Sequence, residues 1–169
     1  MFSFHVSGID AQSLMKRMTQ ITYHPHYEDL NVSSVHYDDM TCACTYTYIY
    51  KTRPLKNLGV VVPDKIYRKM MCVKNTCHFD FKQNVVGFTI TSRKEKYYAV
   101  SGRVVFIDTD NTTVVVTLYI EQVVFKDFLK SLPNVILDQV RQYIMNEIQK
   151  DLQILCTSCV DRDLDGLKP

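Results

Sequence analysis

Six cysteines and five histidines carry much of the chemistry this sequence could perform. The cysteines fall as Cys42-x-Cys44, Cys72-x4-Cys77 and Cys156-x2-Cys159. Two residues apart on a strand puts both side chains on one face, and a C-x-x-C at a helix end is half of a zinc site, with His78 next to Cys77 as a further ligand type. No second C-x-x-C completes the set, so the expectation is free thiols, with neither metal nor cofactor. A thioredoxin-type role needs the pair at the start of a helix after a strand, and here it lies near the end of the chain.

His24 and His26 flank Pro25 and could sit at a cavity mouth, although histidines in a loop are more often solvated. Glu147 and Asp151, at i and i+4, put two carboxylates on one side of a helix, where Lys150 beside them suggests a solvated face. The chain has no G-x-G-x-x-G, G-x-x-x-x-G-K-[ST], G-x-S-x-G or H-E-x-x-H, so the weight falls against an enzyme. Tyr48, His5 and Arg141 are the polar groups a small hydrolase or cyclase would have to use.

Composition narrows the setting. A chain of 169 residues is expected to form one domain, residues 1–160, followed by a disordered tail at 161–169. A formal charge of +2 with mixed signs argues against nucleic acid as a partner. No apolar run is long enough to span a bilayer and no export signal opens the sequence, so a cytoplasmic location is expected.

The elements that must position these groups follow from periodicity. Residues 134–155 form the one long helix: Leu137, Val140, Ile144, Ile148, Leu152 and Leu155 share a stripe, and Pro133 stands just before it. Arg141 lies close to that stripe and either snorkels at its edge or turns a guanidinium inward. Upstream, Phe2, Phe4 and Val6 alternate in a strand that stops at Gly8, and Asp10 caps a helix carrying Leu14, Met15, Met18 and Ile21. A short helical turn is expected at 27–30. Strands follow at 32–37 and 41–52, joined by Asp38-Asp39, with a loop at 52–58, an edge strand at 59–63 and an amphipathic helix at 63–71. Two hairpins complete the pattern, the first turning at Gln83-Asn84 and the second at 108–111, and Gly102 marks a bulge or close backbone approach. Such an order makes an α+β domain in which a curved antiparallel sheet of about six or seven strands wraps a long C-terminal helix.

This order resembles the START-like, or SRPBCC (Bet v 1-like), superfamily of helix-grip folds over most of the chain. From Val60 to Pro63 through Met70 and Met71, and on through the strands to Val114, the layout is similar to the PRELI/UPS-type and VASt-type lipid-transfer domains. The resemblance implies a cavity between sheet and helix for a lipid or other apolar ligand, lined by Tyr48, Phe88, Val104, Phe106, Val116, Leu118, Val140, Arg141, Ile144 and Ile148. The function expected is non-enzymatic binding or transfer of that ligand, with a protein-interaction module on a filled core as the alternative. Lys65, Ile66, Arg68, Lys69 and Met70 form the candidate contact with a membrane surface or a protein partner.

Overall fold

The computed structural model describes residues 1–51, 59 and 62–165. Its elements are β1 (Phe2–Ser7), α1 (Ala11–Met18), β2 (Tyr27–Asp38), β3 (Thr41–Tyr50), α2 (Asp64–Met71), β4 (Cys72–Asp80), β5 (Val85–Ser92), β6 (Tyr98–Asp110), β7 (Thr113–Phe125), α3 (Asp127–Lys130) and α4 (Asn134–Asp165). The strands form one antiparallel sheet in the order β1-β7-β6-β5-β4-β3-β2. Consecutive strands pair from β2 to β7, and β1 closes the far edge beside β7. This is the α+β architecture that alternation and one long helix predict.

Local chemistry sets the turns and caps. Asp10 accepts from Ser13 N at 2.9 Å and caps α1, and Asp108 of β6 accepts from Ala11 N at 2.8 Å, which ties the same helix start to the sheet. The β2–β3 turn is held by Asp38 Oδ1, which accepts from Met40 N and Thr41 N. At Gly102 the β6–β7 register shifts by one residue, and a Cβ there would lie 2.1 Å from Tyr119 O and 2.9 Å from Phe88 Cζ. Both readings of this glycine, bulge and close approach, therefore hold.

The inward sheet face carries Cys42, Cys44, Tyr46, Tyr48, Phe79, Phe88, Val100, Val104, Phe106, Val114, Val116 and Leu118, all buried. Val140, Ile148 and Leu152 of α4 are buried with them, and Ile144 and Leu155 pack partly against them. Burial at about 25 cal/mol per Å2 of apolar surface is what holds the helix to the sheet.

Three boundaries differ from the periodicity. Residues 27–30 are not a helical turn but the start of β2, because Tyr27 pairs with Tyr50 of β3; a register shift between Glu28 and Asn31, with Asp29 at φ 50°, breaks the alternation that would have revealed it. The last helix runs to Asp165, past the helix end expected at residue 155 and into the tail expected from residue 161. Val62 is buried outside any strand, and the loop at 52–58 with most of the expected edge strand lies outside the described residues. Among the described residues, no helix is long and apolar enough to cross a membrane.

Candidate functional site

The side chain that organises the interior is Asp151, one turn before the end of the apolar stripe and only 5% exposed. At about 100° per residue it falls between Val140 and Ile144, so the expected solvated face is wrong for this residue. Its burial is possible because its oxygens are satisfied. Tyr50 Oη donates to Asp151 Oδ2 at 2.7 Å and Tyr27 Oη to the same oxygen at 2.8 Å, while His26 Nδ1 lies 2.8 Å from Oδ1. A buried carboxylate is tolerated under such compensation and strongly destabilising without it.

The two histidines are likewise not a solvated loop. His24 is 2% exposed. His26 N donates to His24 Nδ1 at 3.2 Å, so Nδ1 carries the lone pair and Nε2 the proton, which it donates to the Asp151 main-chain oxygen at 3.2 Å. Burial pushes the His24 imidazole below its ordinary value and outweighs the opposing pull of Asp151, in keeping with this neutral tautomer. His24, Tyr27 and Tyr48 stack face to face with centroids 3.9 and 3.8 Å apart, and Tyr50 meets Tyr27 and Tyr48 edge on. Burial holds the Tyr27, Tyr48 and Tyr50 phenols far above their usual range, so they act as neutral donors.

Beside this polar cluster lies a chamber of about 80 Å3 between sheet and α4, lined among others by Ile21, Tyr46, Cys77, Val86, Ile90 and Leu152. A second, of about 50 Å3, lies between α2 and α4 and is lined by Met70, Met71, Tyr98, Leu129 and Tyr143 among others. Tyr50, Ile90 and Ile148 border both.

Of the residues expected to line a cavity, Tyr48, Phe88, Val104, Leu118 and Ile148 border the larger chamber, and Val140, Ile144 and Ile148 the smaller. Phe106 and Val116 border neither; they are almost fully buried in the packed part of the core. Arg141 is a correction. Its guanidinium pairs with Asp138 and lies 5.5 Å over the Phe125 ring, at the edge of the stripe and away from both chambers.

On α2, Lys65, Arg68 and Lys69 are exposed and Ile66 is half-buried. Met70, expected at a membrane surface, is instead 2% exposed, because α2 lays Tyr67, Met70 and Met71 against the sheet side of the fold. Its apolar side is already spent on packing.

Cys156 and Cys159 sit inside α4 rather than at its end, both fully buried, with Arg17 Nη1 donating to Cys159 O at 2.8 Å. Burial drives the Cys77 and Cys156 thiols well up, which makes them poor nucleophiles and poor metal ligands. Among the described residues, the metal-type side chains that converge are His24, His26 and Asp151, whose ligand atoms lie within 4.8 Å of one another. The signal for this cluster was the position of Asp151 on the apolar arc; its connection to His24 and His26, more than a hundred residues away, left no mark in the spacing.

Solved structures share the architecture. TTHA0849 from Thermus thermophilus superposes with a TM-score of 0.54 at 12% identity, covering 99% of this chain and 97% of that one. The Zhui aromatase/cyclase from Streptomyces sp. R1128 gives 0.53 at 11% identity, covering 95% and 93%. The 18 kDa protein CC1736 from Caulobacter crescentus gives 0.52 at 12% identity, covering 98% and 99%. At such identities the likeness is one of fold, and the fold is the helix grip: a seven-stranded curved antiparallel sheet around a long C-terminal helix. No family model matches the chain, and no curated protein matches it.

Proposed function

We propose that this protein binds a small apolar molecule carrying one hydrogen-bonding end, without transforming it. The observation that supports this reading is the larger chamber itself, an apolar wall that ends at Tyr27, Tyr50 and Asp151. The apolar body of a ligand would lie against Val86, Phe88, Val104 and Leu118, and its hydroxyl or amine would meet the carboxylate and phenols. One protein of the same fold is an aromatase/cyclase, which agrees with a ring as the apolar body at the level of fold.

Size decides what enters. Chambers of about 80 and about 50 Å3 are each smaller than a cavity of about 150 Å3 that takes up benzene, so a single ring enters only where the two join at Tyr50, Ile90 and Ile148. A lipid, the ligand of the PRELI/UPS-type and VASt-type domains, requires α4 to move off the sheet around Ile148. In that version of the proposal, Lys65, Arg68 and Lys69 meet an anionic membrane surface beside the smaller chamber. The small volumes also favour a second reading, a protein-interaction module whose interior is simply filled.

Native mass spectrometry of the purified protein, before and after organic extraction, separates these readings. A bound small mass that extraction removes, or saturable uptake of an apolar fluorescent probe that Val104→Phe weakens, supports the binding protein. A bare chain mass together with no probe uptake overturns it in favour of the filled module.

A further inference from the structure

We propose that His24, His26 and Asp151 form a binding site for a divalent transition metal ion, with zinc the best match, which clamps the segment before β2 to α4. The proposal does not depend on any ligand in the chambers. Two imidazoles and a carboxylate are a common nitrogen and oxygen set for zinc, with a fourth position left for water. Their ligand atoms already lie within 4.8 Å of one another. In a tetrahedral site with bonds of about 2.0–2.1 Å, neighbouring ligand atoms stand about 3.4 Å apart. His26 Nδ1 and Asp151 Oδ1, now 2.8 Å apart, would open by about half an ångström, a side-chain adjustment rather than a refolding.

The surroundings supply what such a site requires. Asp151 Oδ2 is held by the Tyr27 and Tyr50 hydroxyls, which leaves Oδ1 aimed at the histidines and fixes the carboxylate in the way outer-shell donors orient metal ligands. His24 Nδ1 carries its lone pair, which accepts from the His26 main-chain N–H over 3.2 Å and would give up that hydrogen bond to the metal. His26 Nδ1 becomes a ligand when its proton moves to Nε2, a tautomer change that leaves a neutral ring and an ionised carboxylate facing the cation. An approach exists as well, because His26 borders an open surface groove with Lys150, Gln153 and Thr157. A metal would add a further partner for the buried Asp151 carboxylate and the buried His24 ring, with the partly exposed His26 between them and solvent.

The test titrates the chelator-stripped full chain with Zn2+ by calorimetry and with Co2+ by visible absorption. Expected are one ion per chain, a rise in melting temperature with added Zn2+, and a Co2+ spectrum free of sulfur-to-cobalt charge transfer. His26→Gln, at a partly exposed position, should weaken Zn2+ binding at least tenfold, while the distant Cys42→Ser should leave it unchanged. Absence of stoichiometric binding to folded protein, binding unaffected by His26→Gln, or a sulfur-to-cobalt band would each overturn the assignment. The cobalt spectrum of the wild-type chain decides the ligand type even if the variant fails to fold.

Discussion

The Tyr50 hydroxyl donates to Asp151 Oδ2 over 2.7 Å, from the end of the third strand to the inner face of the last helix. Tyr27 reaches the same oxygen at 2.8 Å, so a single carboxylate joins the edge hairpin to α4. The apolar stripe alone would let the helix slide along the sheet with little loss. A buried acceptor with two fixed donors has one position in which all three are satisfied, and so sets the register of helix on sheet.

Asp151→Ala removes the acceptor and leaves two buried phenols and His26 without it. A loss of about 3 kcal/mol is expected, read as a lower urea midpoint at unchanged slope. Tyr50→Phe, which keeps the ring and one of the two donors, should cost about 1 kcal/mol. Equal midpoints for parent and Asp151→Ala would show that the cluster does not contribute to the fold.

His24 makes stability depend on pH. Its pKa is depressed in the folded chain by burial, against an ordinary value of 6.5, so between these two values the unfolded chain binds a proton that the folded chain refuses. Stability is therefore complete above the ordinary value and declines as pH falls below it, until the depressed folded value is reached. Asp151 opposes the depression, while His26 and Lys51 add to it. Urea midpoints at about pH 7.5 and about pH 5.5 should differ for the parent and converge for His24→Gln. An unchanged pH slope in that variant would assign the effect elsewhere.

Gly102→Ala places a methyl 2.1 Å from the Tyr119 carbonyl oxygen, which is backbone and cannot step aside. Destabilisation of about 3 kcal/mol or failure to fold is expected. Gly87, on the neighbouring strand, has open space around its Cβ position, and Gly87→Ala should be tolerated within about 1 kcal/mol. Thermal melts of the pair check both, and equal melting temperatures would contradict the close approach.

Ile148→Asp and Ile144→Asp place a charge in the contact between α4 and the sheet. Ile148 is buried and borders both chambers, whereas Ile144 is half-buried, so the first should cost several kcal/mol and the second less. A reversed order in chemical denaturation would misplace the helix face.

For the membrane version of the proposed function, flotation with anionic liposomes at low salt should carry the parent upward and leave behind the variant with Lys65, Arg68 and Lys69 all changed to Glu. Because Met70 is inside, binding should also vanish at high salt, as for a purely electrostatic contact. Salt-resistant binding would mean that α2 detaches and inserts.

Periodicity by itself determined the strands apart from the start of β2, the hairpin turns, the capped start of the first helix, the Gly102 irregularity and the apolar face of α4, because each depends on residues one to four positions apart. The same local signal placed Tyr48, Phe88, Val104, Leu118 and Ile148 on inward faces. Only the tertiary structure decided that Asp151, His24, His26, Tyr27 and Tyr50 meet. The histidines and the aspartate are joined across more than a hundred residues, and a carboxylate within an apolar arc is legible as buried only once its donors are known. It also decided that Phe106 and Val116 pack away from the chambers and that Arg141 turns outward, since inward-facing positions say which side a residue is on but not whether the space before it is filled. Chamber volume is the small remainder after opposing side chains from sheet and helix have interlocked, and that remainder depends on every pair of facing residues at once.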